Sequence, residues 1–173
     1  IVGWADGANY NSNWTISGCE VDGNSTVTIA PELIGEKYDN GDKAGALVGY
    51  AYGINVKENT VANTTIQGYR DLGGLVGIAQ ENTKTTPHSE WAVVTNNSLG
   101  EGVKIIVDNN HNYQEYDIQS QYNVQSYVGR ISDCSVVENN NGDATIVWGD
   151  IPATLVNYVA QVGEDKYETI KDA

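Results

Sequence analysis

Hydrophobic and polar residues alternate in short bursts along this chain, and the bursts recur. A hydrophobic-Val-Gly phrase appears at Ile1-Val2-Gly3, Leu47-Val48-Gly49, Leu75-Val76-Gly77 and Tyr127-Val128-Gly129. After a variable gap each is followed by a β-branched residue, then Cys or Asn three positions on, then Val or Leu two beyond. These second phrases are Ile16/Cys19/Val21, Val56/Asn59/Val61, Val94/Asn97/Leu99 and Ile131/Cys134/Val136. Gly, Asn and Asp break each unit into two or three β-branched runs, which read as short strands and turns. A 3.6-residue apolar period is missing until the last few residues. Recurrence of short strands at intervals of roughly 20–50 residues is the mark of stacked repeats, in which one unit cannot bury its own apolar side and neighbours share an interior. The predicted fold is all-β: a right-handed parallel β-helix (β-solenoid) of about four irregular coils with inserted loops, over residues 1–148. Residues 149–173 read as a linker and the lead-in to a further domain, with Thr169 placed as the N-cap of a helix.

Within that frame the recurring residues are expected to be structural. Gly3, Gly49, Gly77 and Gly129 weaken an isolated strand, so they imply a tight bend or a close approach of facing walls. Cys19, Asn59, Asn97 and Cys134 share one slot and predict an inward column in which the Asn amides bond to one another. If both cysteines hold that slot, they lie three rungs apart. At about 4.8 Å per rung that is roughly 14 Å, beyond the ~7 Å Cα limit of a disulfide. Two small buried residues are expected instead. Insertions fall after the first strand, at 6–13 and 80–90, and before the next one, at 30–43 and 108–125. Equivalent insertions emerge on one edge of a stack, so the second pair is expected about two rungs, roughly 10 Å, apart.

Charge narrows the partners. The formal net charge is −14, with nine Lys plus Arg against 23 Asp plus Glu. The basic residues do not cluster, which speaks against nucleic acid and against an anionic membrane surface. No apolar run approaches the roughly 20 residues of a membrane-spanning helix. The chain opens inside a repeat at Ile1, and it is read as a piece of something longer. Nothing physical accounts for the absence of Met and Phe beside eleven Tyr.

The phrases Gly45-Ala46-Leu47-Val48-Gly49-Tyr50-Ala51 and Gly73-Gly74-Leu75-Val76-Gly77-Ile78-Ala79, each ahead of its second phrase, resemble the GLUG repeat. That family occurs in large bacterial surface and secreted proteins, including adhesin-like proteins and regions flanking immunoglobulin-A-cleaving proteases. The resemblance spans about residues 1–146; it is closest at 45–79 and looser at 127–136. It implies a β-helical segment outside the cell and carries over no catalytic residues. The tail from Val159 to Ala173 looks like the lead-in of a further β-helix domain found in long bacterial surface proteins, so neighbouring domains of the same polypeptide are expected partners.

Candidate chemistry is sparse. Asp39 with Asp42, and Glu115 with Asp117, are the carboxylate pairs a polysaccharide-cleaving β-helix would use, but their polar surroundings suit solvated turns. Asp39-Asn40-Gly41-Asp42 and Asn139-Asn140-Asn141-Gly142-Asp143 have the oxygen ligands of a calcium turn without EF-hand spacing. His88 and His111 lie apart and lack partners at zinc-ligand spacing. No metal or cofactor is therefore expected, calcium being the one ion either turn would suit. Neither a nucleophile elbow nor a phosphate-binding glycine motif occurs. Aromatic residues are the better candidates for ligand contact. The residue after each repeat Gly is Trp4, Tyr50, Ile78 or Arg130, a row expected to face outward because Arg130 belongs to it. His111, Tyr113, Tyr116 and Tyr122 make the 108–125 insertion an adaptable recognition surface. The leading expectation is a non-catalytic stalk, scaffold or adhesion segment outside the cell. A carbohydrate-binding module that meets a host glycan or protein through exposed aromatics is the alternative, and a polysaccharide-degrading β-helix comes third.

Overall fold

Gly, Asn and Asp punctuation in the sequence becomes a set of corners in space. A computed structural model describes residues 2–7, 14–29, 43–68, 70–80, 92–108, 124–132, 135–149, 160–162 and 165–167. Every regular element among these is a strand. The first unit contributes β1 (Val2–Asp6), β2 (Thr15–Ser17), β3 (Glu20–Val21) and β4 (Ser25–Thr28). The second holds β5 (Val48–Tyr52), β6 (Asn55–Lys57), β7 (Thr60–Val61), β8 (Thr64–Gly68) and β9 (Leu72–Gly73). The third holds β10 (Val76–Gln80), β11 (Val93–Thr95), β12 (Ser98–Leu99), β13 (Lys104–Asp108) and β14 (Val124–Gln125). The fourth holds β15 (Val128–Ser132), β16 (Val136–Glu138) and β17 (Thr145–Gly149), and the tail adds β18 (Ala160–Val162) and β19 (Asp165–Tyr167).

Equivalent strands of successive units pair in parallel. The sheets run β1-β5-β10-β15, β2-β6-β11-β16, β3-β7-β12, β4-β8-β13-β17 and β9-β14, and only β18 with β19 is antiparallel among the described strands. Register follows the repeat: Val2, Val48, Val76 and Val128 stand side by side, as do Val27, Ile66, Ile105 and Ile146. The chain is thus all-β with parallel strands in stacked sheets, a solenoid-like arrangement. Its interior is lined by apolar residues of the five parallel sheets, with Val48, Val56, Val61, Ile66, Leu72, Val76, Val94 and Ile105 fully buried.

The glycine row has a steric cause. Val48 and Ala51 join the core while Tyr50 and Tyr52 do not, so the in–out alternation of the strand is broken beside Gly49. The strand that closes one unit passes close to the glycine that opens the next. A Cβ on Gly77 would lie 2.5 Å from Gly49 O, 2.6 Å from Ala44 N and 2.8 Å from Asp71 O. All three are backbone atoms, so any side chain there must displace a strand. The expected close approach is found at Gly49, Gly77 and Gly129, backbone against backbone, whereas Gly3 has nothing within 4 Å.

At the next corner the side-chain ladder forms. Gly18, Glu58, Asn96 and Asn139 all have φ between +54° and +66°, and each turns the chain so that the following residue points inward. Those following residues are Cys19, Asn59, Asn97 and Asn140. Asn97 Oδ1 accepts from Asn59 Nδ2 at 2.9 Å and from the Asn59 backbone N–H at 3.1 Å. Asn140 Oδ1 accepts the same pair from Asn97, at 2.9 and 3.0 Å. Each Nδ2 also donates to a carbonyl of the preceding unit: Asn59 to Ile16, Asn97 to Val56 and Asn140 to Val94. At the other end Asn59 Oδ1 accepts the Cys19 N–H at 2.9 Å. Cys19 has no amide to extend the ladder and terminates it. Asn59 and Asn97 are buried, yet their polar atoms are bonded above and below, which removes the cost of burying them.

The fourth member corrects the sequence reading. β16 pairs with β11 so that Val137 stands beside Val94, and this carries Asn140, not Cys134, into the column. Ile131 belongs to β15, opposite Ala79 of the first sheet. Cys134 lies outside the described residues. The rung-counting argument against a Cys19–Cys134 bridge therefore loses its premise. Cys19 itself carries a free thiol packed against the core.

At the corner after β3, Asp22 ties the first unit to the second. It accepts from Asn63 Nδ2 at 2.8 Å and from the Gly23 N–H at 2.6 Å, and these bonds hold its carboxyl below the usual range. The insertions at 30–43 and 108–125 depart beyond β4 and β13, which are separated in their sheet by β8 alone. Two strand spacings are about 10 Å.

Candidate functional site

The row after the repeat glycines is real, but it changes character along its length. Trp4, Tyr50, Ile78 and Arg130 stand in consecutive register. Trp4 meets Tyr50 edge to face, with ring centroids 5.0 Å apart and planes at 62°, and Tyr50 meets Tyr52 at 5.9 Å. Tyr50 is further fixed by donating its hydroxyl hydrogen to Gln80 Oε1. Beyond Tyr50 the wall closes over. Ile78 is fully buried although it is not part of the core cluster. Arg130 turns its Nε to within 3.4 Å of the buried Asp71 carboxylate. The expected outward row therefore carries aromatic rings in the first two units only: Trp4 is exposed, Tyr50 is half-buried, and Tyr52 beside it is buried.

Next to that wall lies a hollow of about 310 Å³ at the corner between β1 and β2, lined by Trp4, Ala5, Asp6, Trp14, Thr15, Ile16 and Ile54. Trp4 and Trp14 remain 57% and 55% exposed. The register explains Trp14: its carbonyl accepts from Asn55 N–H at 2.8 Å, which sets it beside Ile54, and in the third unit Ala92 takes that place. In the inner units this slot is apolar and buried, while in the first unit an indole stands there with one side open. Among the described residues Asp6 supplies the only charged side chain of the lining.

His111, Tyr113, Tyr116 and Tyr122 lie outside the described residues, as do the carboxylates Asp39, Asp42, Glu115 and Asp117 and the second histidine, His88. Asn139 to Asp143, the second calcium-like turn, is occupied with structure: Asn140 is in the ladder and Asp143 accepts from Ser126 Oγ at 3.2 Å. Among the described residues no group of three or more His, Cys, Asp or Glu is placed to hold a metal ion, and no helix is long and apolar enough to cross a membrane.

No family model, no curated protein and no solved structure matches the chain. Function must therefore be argued from the site itself. Sequence reasoning missed two of its parts. Trp14 stands just before the first unit's second phrase, in the slot of Ile54, and alignment by that phrase brings it out. The Asp71–Arg130 pair joins units two and four through a residue that no repeat phrase contains.

Proposed function

We propose that this chain is a non-catalytic segment of a large bacterial surface or secreted protein, a stalk or scaffold that presents neighbouring domains outside the cell. We further propose that it is a right-handed β-helix of about four coils. One observation carries the reading: the residues that recur from unit to unit are consumed by stacking. The glycines make room for a passing backbone, the Asn column bonds one unit to the next, and the β-branched residues fill the interior. A repeat whose common residues are all internal propagates a shape. The resemblance at 45–79 to repeats of bacterial surface proteins supports the setting. Incubation with acidic and host polysaccharides is expected to release no new reducing ends. Turnover that disappears in Asp42→Ala or Glu115→Ala would overturn the non-catalytic reading.

A second reading, glycan binding, is favoured by the exposed Trp4 ring set edge to face against half-buried Tyr50, because indole and phenol rings offer contact area at low entropic cost. Glycan-array screening tests it. Saturable binding lost on Tyr50→Ala or Tyr113→Ala supports it, and a flat array excludes it.

A further inference from the structure

We propose that the hollow between Trp4 and Trp14 is a site for a weakly hydrated organic cation of the quaternary-ammonium type. Its lining combines two indoles that are each more than half exposed, an apolar floor of Ala5, Ile16 and Ile54, and one carboxylate, Asp6. Each ligand class meets these features differently. An anion is repelled by Asp6 and by a chain of net charge −14 with no Lys, Arg or His in the lining. A sugar needs a hydrogen-bond partner for most of its hydroxyls. Among the described residues only Asp6 and Thr15 of the lining have polar side chains with hydrogen-bonding atoms beyond the indoles, so several hydroxyls would lose water without replacement from them. A hydrocarbon fits the floor but gains nothing from the negative charge of Asp6 beside it. A primary ammonium is strongly hydrated and needs acceptors that an apolar floor lacks. An N-methylated cation resolves all four conflicts. Its methyl groups need no hydrogen bonds and cover the apolar floor, while its charge is attracted by indole faces and by the carboxylate.

The site does not depend on the glycan reading, and the two are separable. The probe is tetramethylammonium or choline, titrated calorimetrically into the whole chain at low salt. The neutral tert-butyl analogue of choline and a panel of uncharged monosaccharides serve as comparisons. Saturation by both cations is expected, with the neutral analogue about tenfold weaker or more, since each indole–cation contact supplies a large part of a tenfold factor. Trp14→Ala should weaken choline about tenfold, Asp6→Asn several-fold with a reduced salt dependence, and Trp148→Ala on β17 not at all. Should Trp14→Ala fail to fold, Trp14→Phe keeps the test open, because a smaller aromatic face must bind more weakly. Equal binding of the neutral analogue overturns the proposal, as do saturation by a monosaccharide in its place, no saturation in the millimolar range, and Trp14-dependent self-association that choline does not compete.

Discussion

The inner and outer units of this chain carry the same phrases and meet different fates. In the second and third units Val56, Val94, Ile66 and Ile105 are fully buried. Their equivalents Ile16, Val137 and Val27 are only partly covered, and Ile146 is 39% exposed. Asn59 and Asn97 are sealed inside, whereas Asn140 and Cys19, at the ends of the same column, are half-buried. The apolar residues are chemically alike, so among the described residues the difference follows from pairing with one neighbouring unit or with two. Stability in such a stack is close to a sum of contacts between adjacent units, and a position's importance follows from its place in the stack.

The comparison can be broken most severely at the glycine row. Gly77→Ala pushes a Cβ against backbone on three sides and should cost about 3 kcal/mol or more. Gly3→Ala meets nothing within 4 Å and should change stability by less than about 0.5 kcal/mol. Denaturant midpoints of the two variants measure the contrast, and equal losses would mean that the first unit is packed as tightly as the third. The next contrast is in the ladder. Asn97→Ala leaves the N–H and Nδ2 of Asn59 and the carbonyl of Val56 without these partners, a loss of about 3–4 kcal/mol for several buried groups at ~1 kcal/mol or more each. Asn140→Ala, half-exposed at the end of the column, should cost about half as much because water reaches the groups it frees. The smallest effect sharpens the account instead of breaking it. Cys19→Asn adds the amide that the first unit lacks, aimed at Asn59 Oδ1, and should raise stability by about 0.5–1 kcal/mol. A clear loss would show that Cys19 is fitted by its packing and does not simply end the ladder.

Much of this was legible in the sequence because the repeat phrases are short and rigidly spaced inside themselves. Val-Gly plus three residues makes a strand, and β-branched-x-x-Asn makes a strand and a corner. What failed was the spacing between phrases. In the second unit Val56 lies seven positions after Gly49, which is what a strand ending at Tyr52 and a turn require. Placing the fourth unit's second phrase at Ile131, two residues after Gly129, left no room for that strand. Counting strand length would have moved the phrase to Val136 or beyond, the stretch that holds Val137 and Asn140. The aromatic wall was half legible: period and register gave the row, but burial at Ile78 and the turn of Arg130 toward Asp71 depend on contacts between units, which no single phrase encodes. Trp14 was missed because it precedes the phrase that defines the slot.

The central claim is that the Asn column registers one unit on the next, with Asn140 as its fourth member. Residue-resolved hydrogen exchange of the Asn97 backbone amide tests it most directly, because that N–H donates to Asn140 Oδ1. Exchange should be slow in the parent chain, about tenfold or more faster in Asn140→Ala, and unchanged in Cys134→Ala. Protection of Asn97 that survives Asn140→Ala but is lost in Cys134→Ala would contradict the account.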